Sequence, residues 1–135
     1  MPSVLEDKDS IRDLLAQYCF HFDSGDFEGW LQLFTEDGVF EVHGMGRFAG
    51  RDQLRAFLTT IPLTDGLPML KHCVMNEIIA VDGDRAAVRS YVLVVGGGSE
   101  VRLGVAGRYE DELRRVNGSW RFAERKAHLD LMNRP

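Results

Sequence analysis

The sequence predicts an α+β domain in which helices pack on one face of a curved antiparallel sheet. Three observations carry that prediction. The N-terminal part holds apolar residues at helical spacing. The C-terminal part holds long runs rich in β-branched and aromatic residues. Two dipeptides, Asp82-Gly83 and Asn117-Gly118, read as two-residue hairpin turns between such runs.

The first helix is expected over Asp9 to Ser24, where Ile11, Leu14, Leu15, Tyr18 and Phe22 recur at three and four. Asp9 or Ser10 can cap its start, and Ser24-Gly25 stops it. Phe20 falls outside that stripe, which predicts a helix covered on two faces. Asp26 can N-cap a second, short helix with the stripe Phe27, Trp30, Leu31 and Phe34. GVFEVHG then reads as a strand, Phe40 and Val42 alternating with Glu41 and His43. Gly50 opens a third helix, RDQLRAFLTTI, which Pro62 ends.

LKHCVMNEIIAV begins the β-rich half, followed by a strand over 85–95 and a flexible turn at Gly96 to Gly98. VRLGVAGRYEDELRRV is a long strand whose Gly104 and Gly107 predict bends or bulges. SWRFAERKAHLD closes the sheet. No repeat, low-complexity segment or linker interrupts the 135 residues, so one domain over 1–135 is expected.

A net charge of -5, spread along the chain, argues against nucleic acid or an anionic membrane as partner, because the long-range term is repulsive. The opening MPSVLEDKDS is charged rather than apolar, and no run reaches membrane-spanning length, which predicts a cytoplasmic protein. Cys19 and Cys73 lack metal-ligand spacing and read as reduced, buried thiols. The four histidines (His21, His43, His72, His128) are scattered. No phosphate loop, His-Glu-x-x-His, paired CxxC or GxSxG motif is present, so neither metal nor cofactor is expected.

The stretch YCFHFDSGDFEGW, residues 18 to 30, sets a tyrosine, a histidine and two aspartates among aromatic residues. Groups that resist burial at the end of an apolar helix suggest the lining of a pocket. Tyr18 lies mid-stripe and is either a core tyrosine satisfied by a carbonyl or a site group. Asp23 sits at the stripe's edge, as an exposed turn residue or a site group. Counting by two, His72 and Asn76 share a strand face with Leu70, Val74 and Ile78. They are satisfied core polars or the polar groups of a cavity.

IRDLLAQYCFHFDSGDFEGWLQLFTEDGVFEV resembles the N-terminal signature of the SnoaL-like proteins of the nuclear-transport-factor-2-like superfamily. GRDQLRAFL, KHCVMNEIIAVDGDRAAVRSYVLVV and GRYEDELRRVNGSWRFAERKAHLD agree in order along nearly the whole chain. The resemblance implies a cone: a highly curved antiparallel sheet wrapped around N-terminal helices and enclosing an apolar pocket, a cystatin-like α+β barrel. It also implies a homodimer through the sheet. Relatives include polyketide cyclases, dehydratases, ketosteroid isomerases, epoxide hydrolases and dioxygenase small subunits.

The dehydratases match best, with Tyr18, Asp23 and His72 agreeing in type, order and approximate spacing. The aspartate of the ketosteroid isomerases is replaced here by Val42. A second dehydratase histidine has no counterpart near Arg102, Leu103 and Gly104, and no Asp-Arg-Asp set of the epoxide-hydrolase kind is found. The implied activity is a lyase or isomerase working by general acid-base chemistry on a hydrophobic cyclic, polyketide-like or steroid-like substrate. Asp23 would orient His72, His72 would remove a proton α to a carbonyl, and Tyr18 would hydrogen-bond the developing enolate.

Leu14, Phe22, Trp30, Phe40, Val42, Phe57 and Leu58 would line the pocket, or fill the core. Asn76 and Arg125 would orient the substrate. Arg125 reads more simply as a salt-bridge residue at the surface or a dimer interface. The alternatives are a non-catalytic ligand-binding or accessory module, including a dioxygenase small subunit, and an oligomerisation domain with a collapsed interior.

Overall fold

Helix α1 (Val4–Asp23) starts earlier than the cap expected at Asp9 or Ser10. The reason is a capping box: the Ser3 hydroxyl accepts from the Glu6 amide, and Glu6 answers at the Ser3 amide. Such a cap is worth about 1 kcal/mol. Starting there also brings Asp7 inward, where it is 5% exposed and takes both Nη groups of Arg115 at 2.6 and 3.0 Å. Arg115 covers the ring of Trp120 and reaches Asp84 as well, pinning the helix start to the far end of the sheet.

The Arg115 hydrogen bonds hold the Asp7 carboxyl below the usual range, against the opposing effect of burial. A depressed native value means that this group stabilises the fold above its ordinary value and stops doing so as pH falls through the depressed one. Asp7→Asn is therefore expected to lower the melting temperature at neutral pH and to narrow its deficit towards acid. A deficit that stays constant across a melting series from pH 7 to pH 3 would count against that account.

The computed structural model describes residues 1–133, in which α1 is followed by α2 (Phe27–Gln32), β1 (Phe34–Val42), β2 (Gly46–Ala49), α3 (Arg51–Leu58), β3 (Leu70–Asp82), β4 (Arg85–Gly97), β5 (Val101–Val116) and β6 (Ser119–Met132). Asp26 caps α2 as expected. Helix α3 ends before Pro62 in a tightened last turn, where the amides and the hydroxyls of Thr59 and Thr60 both donate to the carbonyls of Ala56 and Phe57. β1 begins sooner than GVFEVHG, and the short β2 was not anticipated.

The strands form one curved sheet in the order β2-β1-β6-β5-β4-β3. It is unclosed, with β2 and β3 as edges. All neighbours are antiparallel except β1 and β6, which run parallel because β2 and α3 carry the chain away between them. Asn117 and Gly118 both have positive φ, the twist-matched hairpin turn. The β3–β4 turn is Gly83-Asp84, closed by the pair Asp82 and Arg85, one residue later than read from sequence. β4 runs on to Gly97, which moves the predicted flexible turn beyond it.

The core forms where the α1 stripe (Ile11, Leu14, Leu15, Tyr18, Phe22) meets inward residues of the sheet such as Val88, Val92, Leu113 and Phe122. The sheet covers one face of α1 only. Phe20, expected to be covered, is 79% exposed. Cys19 is buried and Cys73 exposed, so the expectation of two buried thiols holds for the first alone.

Candidate active site

Asp23 is the last residue of α1, and His72 lies near the start of β3. β3 is an edge, so amides on its outer side have no ladder partner. Asp23 supplies one. Its Oδ2 accepts from the His72 backbone N–H at 2.8 Å, while Oδ1 accepts from His72 Nδ1 at 2.7 Å. The two side chains are only 8% and 11% exposed. A carboxylate only accepts, so a proton sits on Nδ1; Nε2 makes no hydrogen bond to the described residues and carries the lone pair whenever the ring is neutral. One residue thus orients both the strand and the ring of the other.

Tyr18 lies beneath this pair at 2% exposure, its ring edge-on to His72 with centroids 6.1 Å apart. Phe22 meets His72 edge-on at 5.2 Å. Burial pushes the Tyr18 hydroxyl up to about 12, the nearby Arg125 charge opposing, so it stays protonated and can donate. The three residues singled out from the sequence therefore converge.

The surroundings differ from expectation. Arg125 is fully buried rather than at the surface. It pairs with Asp111 at 2.9 and 3.1 Å and lies under three rings, its Cζ 3.5 Å from the Tyr109 centroid and 4.2 Å from that of Tyr18. Burial drives the Asp111 carboxyl up, with Arg125 acting against it. Counting by two from Trp120 and Phe122 would turn Arg125 outward. A bulge between Phe122 and Glu124 inserts one residue and turns it in. Asp111 and Tyr109 went unrecognised, although Tyr109, Asp111 and Leu113 alternate on one face of β5, a legible sign of a carboxylate turned inward. Two buried donors in this layer, Trp30 Nε1 and Arg125 Nη1, have no partner among the described residues.

Asn76 does not join the dyad. A second bulge, between Met75 and Ile78, puts it at φ 59 and reverses the pattern, leaving Ile78 59% exposed and Ile79 at 7%. Asn76 lines instead a groove of about 580 Å³ with Ile78, Arg89 and Tyr91.

The aromatic residues expected to line a pocket pack on one another. Trp30 contacts Phe34 at 4.7 Å, Phe57 at 6.0 Å and Phe22 at 6.0 Å, and Phe40 contacts Phe57 at 5.0 Å. Leu58 is buried in the same cluster, and Val42 packs against it from the edge. Space beside the dyad comes from two open grooves, of about 210 Å³ along α1 at His72 and about 230 Å³ at Asp23.

A second His–Asp pair, His21 Nδ1 to Asp26 Oδ2 at 2.8 Å, has similar length but side chains 33% and 51% exposed. Asp26 there accepts from the Gly29 amide as the cap of α2, which is a structural task. No three His, Cys, Asp or Glu side chains converge as a metal site among the described residues. None of the helices described there is long and apolar enough to cross a membrane.

The family model for the SnoaL-like domain matches residues 3–126. Among solved structures, a Mycobacterium tuberculosis protein of unknown function, Rv3472, shares 30% identity, covering 96% of this chain and 73% of its own, with a TM-score of 0.80. A cystatin-like-fold protein of unknown function from Nostoc punctiforme shares 27%, covering 95% and 93%, at 0.82. A candidate scytalone dehydratase from Novosphingobium aromaticivorans shares 25%, covering 96% and 87%, at 0.82. No curated protein matches.

Proposed function

We propose that this chain, which belongs to the SnoaL-like domain family, is a cofactor-independent lyase or isomerase that dehydrates or rearranges a hydrophobic cyclic substrate. The observation that carries the reading is the two-point hold of Asp23 on His72, both side chains largely buried and the ring packed edge-on against Tyr18 and Phe22. The similarity to a candidate scytalone dehydratase supports the reaction class.

His72 Nε2 takes a proton from the carbon α to a substrate carbonyl, and the electron pair moves to the carbonyl oxygen as an enolate. Tyr18 donates to that oxygen, a stabilisation that grows as charge develops. The enolate then collapses, the carbon–oxygen bond to the leaving hydroxyl breaks, and His72 returns its proton so that water departs. Asp23 keeps the ring in the one tautomer that can start this sequence. Incubating small cyclic hydroxy-ketones with wild type and with His72→Ala, and following loss of water by mass spectrometry, tests the proposal. Conversion by wild type alone is expected, and equal conversion by both would sink it.

The partner proposed is a second copy of the chain, docked through the sheet. Ile78 and Tyr91, 59% and 57% exposed, border the groove that Asn76 lines. Neighbouring Arg89, Arg108 and Glu110 offer both signs of charge, as a self-complementary face requires. Tyr91→Glu is expected to yield a monomer by light scattering where wild type is a dimer, without loss of melting temperature. A monomeric wild type would end that proposal.

A further inference from the structure

We infer, resting on the reading of His72 as the base, that Gly25 and Gly66 are positioning residues of the dyad. Their backbone contact seats a short hairpin on the end of α1 and so sets Asp23 against His72. The hairpin is built locally. Thr64 and Leu67 exchange backbone hydrogen bonds of 2.8 and 3.0 Å. Asp65 and Gly66 between them both have positive φ, 53 and 79, the two-residue turn that Asp-Gly favours. Its tip meets the residue that follows the C-cap of α1. A Cβ at Gly25 would lie 2.6 Å from the Gly66 carbonyl oxygen. The φ of 78 at Gly25 is the ordinary helix stop, and the contact is additional to it.

Short connections tie this contact to the dyad. Asp23 lies just ahead of Gly25, and His72 follows Gly66 by only a few residues. The Gly25–Gly66 contact and the Asp23–His72 pair therefore close one small ring of backbone. Both sides of that ring are tied down. The Met69 carbonyl accepts from the Gly97 amide at 3.2 Å and Leu70 pairs with Gly96, which fixes the His72 side to β4. The Ser24 and Gly25 amides donate to the carbonyls of Phe20 and Phe22, which fixes the Asp23 side to α1. Met69 has a φ of 58, a left-handed conformation that a long side chain keeps only where its surroundings impose it. Leu67 and Met69 line the same groove as Asp23, so the hairpin sits beside the carboxylate itself.

The dyad tolerates little displacement. Asp23 reaches the His72 amide and Nδ1 at 2.8 and 2.7 Å, and such bonds weaken steeply when stretched or bent. A side chain at Gly25 would meet backbone, which cannot rotate out of the way as a flexible side chain does. Relief has two routes. Lifting the hairpin pulls on the start of β3 and hence on His72. Shifting the end of α1 moves Asp23. Either route opens the two-point hold, the first from the histidine side and the second from the carboxylate side.

The test follows hydrogen exchange at the His72 Nδ1–H and backbone N–H by NMR, without substrate. Both protons are expected to be protected in wild type. Gly25→Ala is expected to speed both exchanges by roughly ten-fold or more. On a substrate found by the screen it is expected to lower kcat by roughly ten-fold or more with KM little changed. Gly44→Ala is the control: its φ of 76 brings the same backbone strain, but open space surrounds the added Cβ. It is expected to leave the His72 signals as they are. Should Gly25→Ala fail to fold, Asp65→Pro takes its place. Proline cannot adopt the φ of 53 found there, so the exposed turn opens and Gly66 leaves Gly25 with α1 untouched. Exchange several-fold faster than in wild type is expected. Unchanged His72 signals in the displaced variant, or an equal change in Gly44→Ala, overturn the inference. Turnover retained by His72→Ala would instead overturn the base assignment, and the exchange measurements stand apart from that result.

Discussion

Replacing Asp23 by asparagine is expected to lower turnover by about 10²–10⁴-fold and leave the fold in place. The argument is a count of acceptors. Asp23 receives two N–H groups, from the His72 backbone and from its Nδ1. Asparagine offers one acceptor oxygen and one NH₂. If the oxygen keeps the backbone amide, the NH₂ faces Nδ1, the proton shifts to Nε2, and the base is blocked. If the oxygen keeps Nδ1–H, the NH₂ meets the backbone amide donor to donor, and the start of β3 is pushed away. Both arrangements disarm His72, the first by tautomer and the second by position. A comparable change in a Ser-His-Asp triad lowers kcat by about 10⁴. His72→Ala, which removes the base outright, is expected to fall at least as far. Wild-type kcat in Asp23→Asn, on a substrate found by the screen above, would mean that the pair serves only to hold α1 to β3.

Substituting Asp111 by alanine is expected to destabilise the protein by about 3–5 kcal/mol, because the Arg125 charge is then buried without a counter-ion. Both side chains are at 0% exposure, and three rings surround the guanidinium, so water has no route to replace the carboxylate. For a domain of this size the loss is a fall in melting temperature of roughly 10–20 °C. The double change Asp111→Leu with Arg125→Met removes both charges and is expected to return the melting temperature to near the wild-type value or above it. If the double variant is as unstable as the single one, the packing around Arg125, and not its charge, holds this layer. If it is stable but inactive, the guanidinium under Tyr18 also serves the site.

Much of the architecture was legible because it rests on local rules. The stripe from Ile11 to Phe22, the cap at Asp26 and the Asn117-Gly118 turn each depend on a few neighbouring residues, and each is where the chain said it would be. Boundaries were less legible. Ser3 and Glu6 carry a capping-box signature, but a start at Val4 matters only because Asp7 then finds Arg115, more than a hundred positions away. Asn76 was placed by counting in twos and Arg125 was read as a salt-bridge residue at the surface or an interface, and one inserted residue in each strand decides where both side chains go.

By itself the sequence determined the order of the three helices and of every strand but the short β2, the family, and the three residue types that meet near the end of α1. Periodicity and turn chemistry act over a few residues, so a single chain displays them openly. Only the tertiary structure decided that Asp23 grips His72 at two points, that Arg125 turns inward onto Asp111, and that the space beside the dyad is a pair of open grooves. Each of these depends on strand register and on how far the sheet curls before it stops. Those are settled by contacts between segments distant in sequence, where one bulge outweighs any local preference.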